Sequence, residues 1–232
     1  PEIDREVLKA SRISGLEEDY SWSQCTGQMH AKVNYYDKYR NLFNITFASP
    51  LSGHGTMFYN YFIIDSSKVD GRKLYKIRFH PKMKSAAVLD GEIMVDAETM
   101  GLKEAHASMP KGVNVNWIRD LVLDAEYERI PHNGDTLWFH KQHNIYADFS
   151  ISTSDSTRIM SFLGRRQINY GKPDFTSDFP EEVKSSRSEV IYSADIMNND
   201  PAYWEAARPH KLSQRELGIY NMVDSIKQAP LY

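Results

Sequence analysis

The sequence predicts an α+β fold in which a mainly antiparallel, curved β-sheet forms a meander of seven or more strands, with helices near both ends of the chain. Apolar residues recur at every second position through the middle of the chain, between turn signals. Asp70-Gly71 and Asn133-Gly134 have the composition of type I′ turns, whose twist matches that of two antiparallel strands. Helix-capping residues after residue 199 predict helices at the C-terminal end.

Individual strands follow from the same alternation. Residues 42–48 place apolar side chains on one face, whereas residues 56–64 are apolar on both faces, which is typical of a central strand. In the strand after Asp70-Gly71, we expect Phe79 to be buried and Lys76 to face water. Further strands are predicted over residues 88–96, 102–109, 120–128, 136–151 and 158–170.

The composition changes after residue 170, where Pro, Ser, Asp and Lys become frequent. We therefore expect residues 1–170 to form the sheet domain, with an N-terminal helical segment at residues 16–36 that leads into a strand. Residues 171–232 are expected to hold an irregular connection and two helices that pack on the same domain.

Both C-terminal helices have marked starts. Asp200 and Pro201 suit the N-cap and first position of a helix that runs through Arg208. Ser213 and Glu216 form a capping box for the last helix. Its apolar residues recur at helical spacing, so one face of the helix is expected to be buried; they are Ile219, Met222, Val223 and Ile226.

Charge and cysteine content narrow the possible partners. The chain has 28 Lys and Arg against 31 Asp and Glu, dispersed along the sequence, so we expect no nucleic-acid partner. Cys25 is the single cysteine, which excludes an intrachain disulfide and a cysteine-based zinc site. No stretch approaches the roughly 18 apolar residues of a membrane helix. Because the sequence begins at Pro1, we interpret it as a processed or trimmed chain.

The sequence carries no recognisable catalytic motif. There is no G-x-S-x-G nucleophile elbow and no phosphate-binding loop, so we expect no catalytic residue, no cofactor and no enzymatic activity. Asp120, Asp124, Glu126 and Glu128 share one face of a strand; a calcium or acid-base role is possible, but a solvated face with Lys or Arg partners is the preferred interpretation.

His140 and His143 have a spacing that would suit a metal ion on a helix. On a regular strand, residues three apart face opposite sides of the sheet, so the two rings should not converge. We therefore predict no metal site. The aromatic and methionine-rich strands could instead line a concave apolar surface, and the candidate ligand-binding residues are Met57, Tyr59, Tyr61 and Met94.

Four segments, in this order, resemble a known family: REVLKASRISGLE, SPLSGHGTMFYNYFIIDSSKVDGRKLYKIRFHPK, GEIMVDAETMGLKEAHASMPKGVNVNWIRDLVLDAEYE and LSQRELGIYNMVDSIK. The family is that of the uncharacterised outer-membrane proteins of Bacteroides-type bacteria, and the chain is similar to its central region. In that family a carboxypeptidase-regulatory-like β-sandwich precedes this region and an outer-membrane β-barrel follows it. The resemblance implies a periplasmic location, attached to the outer membrane, and transfers no catalytic residue.

Two functions are compatible with these features. The first is a non-enzymatic periplasmic module that positions the barrel of the same protein or binds another periplasmic partner. The alternative is a carrier or sensor of a hydrophobic, lipid-like ligand, because the strand patterns also resemble the half-barrel of periplasmic lipoprotein carriers. That second likeness rests on fold analogy alone.

Overall fold

The computed structural model describes residues 6–9, 34–37, 39–42, 45–83, 88–113, 118–152, 159–175, 178–186, 190–193, 200–208, 211 and 213–214. Contacts divide the chain into two compact units. One combines Pro1–Trp22 with Lys172–Tyr232, and the other is Ser23–Gly171. The predicted division at residue 170, with the C-terminal helices packed on the sheet domain, stays a prediction.

The described residues contain eleven strands and three short helices. The strands are β1 (Glu6–Leu8), β2 (Tyr39–Leu42), β3 (Ile45–Ala48), β4 (Tyr59–Val69), β5 (Arg72–Pro81), β6 (Asp90–Asp96), β7 (Leu102–Ser108), β8 (Ile118–His132), β9 (Asp135–Ser152), β10 (Ile159–Asn169) and β11 (Val190–Tyr192). The helices are α1 (Gly55–Phe58), α2 (Glu181–Ser185) and α3 (Pro201–Ala207).

Strands β4 to β10 form one open, seven-stranded antiparallel sheet in the order β10-β9-β8-β7-β6-β5-β4. Each strand pairs with its neighbour in sequence, so the predicted antiparallel meander is confirmed. Both predicted hairpin turns have positive φ at their two central residues: 51° and 77° at Asp70 and Gly71, and 49° and 82° at Asn133 and Gly134. These values fit type I′ turns, which explains why the sequence signal was reliable here.

One face of the sheet, here called the inner face, carries the core. Cross-strand pairing aligns Phe79, Gly91, Ala107, Leu123 and Ile145 in one row, and the four side chains of this row are buried. Residues outside the seven-stranded sheet bury against the same cluster, and they are Tyr35, Phe47, Val88, Leu89 and Met109. The inner face is therefore filled by the protein's own side chains along this row, and the predicted burial of Phe79 is confirmed.

Two strand predictions are wrong, one in its place in the sheet and the other in being a single strand. The apolar segment 56–64 is not a central strand: it enters through α1 and continues as β4, which is the last strand on one side of the sheet. Residues 42–48 are not one strand, because β2 and β3 pair antiparallel with Leu42 opposite Ile45. Alternation reports which face a residue occupies, but not whether a strand has one neighbour or two.

Other differences concern the chain ends. In the strand predicted to follow the N-terminal helical segment, at residues 33–39, Tyr35 and Tyr36 form a turn, and only Tyr39 lies in a strand, β2, among the described residues. Helix α2 interrupts the connection that was predicted to be irregular. Strands β1 and β11 pair in parallel, an association that was not predicted. Helix α3 is confirmed, with the Asp200 carboxylate accepting a hydrogen bond from Ala202 N–H at 3.0 Å. Residues 16–33, Glu216 and the stripe of the last helix lie outside the described residues.

Candidate functional site

The four predicted ligand-binding residues do not share one surface. Met57 is exposed in α1, while Tyr59 and Tyr61 lie on the inner face of β4 with ring centroids 6.4 Å apart. Met94 pairs with Lys76 and Glu104 on the opposite, outer face of the sheet. The structure brings only the two tyrosines together, and the hydrophobic-ligand alternative stays a prediction.

Both tyrosines fasten a loop to the start of β4. Tyr59 Oη donates to the Ala48 carbonyl at 2.6 Å and accepts from Leu89 N–H at 3.2 Å, and Tyr61 Oη donates to the Pro50 carbonyl at 2.7 Å. Burial raises the pKa of each phenol to about 12, so both remain protonated donors at neutral pH. These hydrogen bonds hold the loop before α1 against the start of β4, so the contacts described for the two tyrosines are structural.

The edge strand β4 exposes three consecutive apolar residues. Phe62, Ile63 and Ile64 are 55%, 67% and 48% exposed. Phe62 pairs with Arg78 on the outer face and Ile63 pairs with Ile77 on the inner face, so the apolar side chains occupy both sides of the strand. The register then shifts at Ile64, which is a β-bulge. We call residues 59–64 the β4 edge segment.

The outer face of the sheet is charged and internally paired. Lys76 Nζ lies 2.6 Å from Glu92 Oε2, and this hydrogen bond to Lys76 lowers the pKa of the Glu92 carboxyl. Arg78 donates to Asp90 at 2.9 Å, and His80 Nδ1 lies 2.8 Å from the other oxygen of Asp90. Such exposed pairs contribute little stability individually, but they keep this face hydrated.

The acidic row of β8 follows the same pattern. Asp124 Oδ1 contacts His106 Nδ1 at 2.5 Å, and Glu126 accepts from Lys141 Nζ at 2.6 Å, a hydrogen bond that raises the pKa of Lys141. The side chains line a shallow groove of about 380 Å³. Within the described residues no cluster of three or more His, Cys, Asp or Glu side chains is arranged to hold a metal ion. The preferred interpretation of this row, carboxylates with cationic partners, agrees with the Glu126–Lys141 pair.

Asp96 differs from the solvated carboxylates of the outer face, because it is fully buried at the end of β6. Arg72 donates two hydrogen bonds to it, from Nε at 2.5 Å and from Nη2 at 2.7 Å. Its Oδ1 also accepts from the backbone N–H groups of Glu98 and Thr99. The Arg72 guanidinium holds the pKa of the Asp96 carboxyl well below its usual range. Asp96 therefore organises the turn between β6 and β7.

A histidine pair lies on the inner face of β9, where regular alternation would not place it. Glu126 pairs with Gln142, but the next residue, Tyr127, pairs with His140, so Lys141 is an extra residue in the strand. This bulge turns His140 onto the same face as His143. The prediction that the two rings face opposite sides of the sheet is therefore wrong.

The two imidazoles are in direct contact. His140 Nδ1 lies 3.1 Å from His143 Nε2, and the ring planes are nearly perpendicular, at 87°. His143 is 1% exposed and its other nitrogen, Nδ1, lies 3.4 Å from Tyr170 Oη. Tyr127 and Tyr170 flank the pair, with ring centroids 4.9 to 5.7 Å from the imidazoles. We call these four residues the His140–His143 cluster.

The sequence indicated the two histidines of this cluster but not that they face the same side of the sheet. The HKQH spacing drew attention to the two histidines, but a bulge depends on the register of β9 against β8, which is a non-local property. The sequence did not identify Tyr170 as a partner of His143, because Tyr170 follows β10 and is far from His143 in the sequence. Its backbone N–H donates to the Lys141 carbonyl at 2.9 Å, which holds it beside β9.

Comparison with known proteins places the chain in a family. A family model described as family of unknown function (DUF5686) matches residues 1–160. The chain belongs to this family. No curated protein and no solved structure matches the chain.

For this DUF5686 member, the matched region contains the β4 edge segment, His140 and His143, whereas Tyr170 lies beyond it. The match agrees with the resemblance to an uncharacterised family. Within the part of the chain that the structure describes, no helix has the length and apolar character needed to span a membrane.

Proposed function

We propose that this chain is a non-enzymatic periplasmic module of an outer-membrane protein, and that it binds the barrel of the same protein along the β4 edge segment. The observation that carries the proposal is the mismatch between the composition of β4 and its position. Its first half has the sequence of a strand buried on both sides, yet in the described structure it has a neighbour only in β5.

The exposed side chains make this edge costly to leave uncovered. An edge strand with Phe62, Ile63 and Ile64 exposed offers both backbone hydrogen-bonding groups and apolar surface to another chain. Soluble sheets usually protect such edges with charges, proline or a bulge. In β4 these features come late: the bulge is at Ile64, and Asp65 and Lys68 follow it. Residues 59–64 contain no charged residue and no proline, so the first half of the strand is the half that we expect to pair.

The rest of the sheet supports a binding role in preference to catalysis. The outer face pairs its carboxylates with Lys, Arg and His, as at Lys76–Glu92 and Arg78–Asp90. The inner-face row through Phe79 and Leu123 is occupied by packed side chains. Among the described surfaces, the β4 edge segment combines exposed apolar side chains with an unpaired strand edge, and we therefore choose it as the binding surface.

Site-specific photocross-linking in the full-length protein, in its own membrane, tests this function. A benzophenone side chain is introduced in place of Ile63 and, as a matched control, in place of Leu163, which is 73% exposed on the strand at the other edge. We expect cross-links from position 63 to peptides of the barrel and few from position 163. Absence of barrel peptides at position 63, or equal yields from both positions, would refute the proposal.

A further inference from the structure

We propose that His140 and His143 together chelate a divalent transition-metal ion of the zinc class. This site is independent of the β4 edge segment, and it was not predicted from the sequence because the bulge at Lys141 creates it. The inference rests on the distance between two nitrogen atoms, on the group behind one of them and on the surroundings of the rings.

The separation of the two nitrogens fits two adjacent ligands of one metal ion. Zinc binds imidazole nitrogen at about 2.0–2.1 Å, so two ligands with bond angles of about 90–110° are about 2.9–3.4 Å apart. His140 Nδ1 and His143 Nε2 are 3.1 Å apart. In the metal-free pair one imidazole N–H donates to the other ring, and a metal ion would replace that shared proton.

Tyr170 provides the kind of support that metal-binding histidines require. A ligating imidazole usually makes a hydrogen bond through its second nitrogen, which fixes its tautomer and its orientation. His143 would bind through Nε2, and its Nδ1 faces Tyr170 Oη at 3.4 Å. Neutral His143 with a proton on Nδ1 can donate to the phenol oxygen while Nε2 keeps its lone pair for the metal ion.

The surroundings limit the coordination to these two protein ligands among the described residues. No third His, Cys, Asp or Glu of that part of the chain joins them in a metal-binding group. The remaining positions would be filled by water or by an external ligand; catalytic zinc sites, which have three protein ligands, leave one position open in the same way. The aromatic rings of Tyr127 and Tyr170 restrict the rotation of both imidazoles, so less ordering is needed when the metal ion binds.

Calorimetric titration of the tag-free full chain with Zn²⁺ at pH 7.5 tests the site. We expect one Zn²⁺ per chain with the wild-type sequence and at least tenfold weaker binding in His140→Gln. His106→Gln, a strongly exposed histidine on the outer face, is the matched control and is expected to bind like the wild type. Unchanged affinity in His140→Gln, or no saturable binding by the wild type, would overturn the proposal.

A second measurement keeps the proposal testable if His140→Gln does not fold. X-ray absorption at the zinc edge on the loaded wild-type chain is expected to show scattering from two imidazole rings. A spectrum without imidazole scattering would exclude the pair as ligands. Lowering the pH to 5 is expected to release the metal ion, because protons compete for both nitrogens.

Discussion

Replacement of Phe79 by alanine tests the register of the whole sheet. Phe79 is fully buried, and its ring makes an edge-to-face contact with Tyr59 at 5.6 Å. Removing a buried phenylalanine side chain costs about 3–5 kcal/mol, because apolar transfer energy is lost and a cavity remains. In a protein of this size we expect the melting temperature to fall by about 6–20 °C, at about 2–4 °C for each kcal/mol.

The matched control is Lys76→Ala in the same strand. Lys76 lies on the outer face and its ion pair with Glu92 is solvated, so its loss is expected to cost about 0–1 kcal/mol. Urea unfolding followed by circular dichroism gives the free energy of unfolding for both variants. Equal losses would show that β5 is displaced by one residue, because such a slip exchanges the inner and outer faces.

Two further predictions concern the turn between β6 and β7. Asp96→Asn is expected to lower the melting temperature at pH 7. Because Arg72 depresses the pKa of folded Asp96, its stabilisation is complete above about pH 5 and is lost as the pH falls further, so acid should destabilise the wild type more steeply than the variant. Gly101→Ala is expected to cost about 1–3 kcal/mol, since a Cβ would overlap the Trp138 indole, whereas Gly53→Ala, in open space, should be nearly neutral in urea unfolding.

The features that the sequence predicted correctly are local. Asn133-Gly134 specifies its hairpin because only a few residue types tolerate positive φ at both turn positions. The N-cap of α3 at Asp200 is likewise decided within two residues. The alternation around Phe79 identified the inner face, because a half-buried sheet requires one apolar side.

The features that were missed depend on residues far apart in the sequence. The burial of Asp96 could not be predicted from local sequence, because its ion-pair partner, Arg72, is 24 residues away. The β4 edge segment looked central because both of its faces are apolar, while edge position is set by the pairing of the other strands. The His140–His143 cluster required one extra residue in the ladder, which alternation cannot show.

Amide hydrogen exchange on β4 tests the central claim, that the β4 edge segment is a partner-binding surface, most directly. Exchange is compared between this chain alone and the same residues in the barrel-containing protein that the proposed function requires, with β6, a strand that has neighbours on both sides, as the internal reference. We predict that residues 59–64 exchange more slowly in the barrel-containing protein, while β6 exchanges equally in both samples. Identical exchange of residues 59–64 in the two samples would contradict the claim.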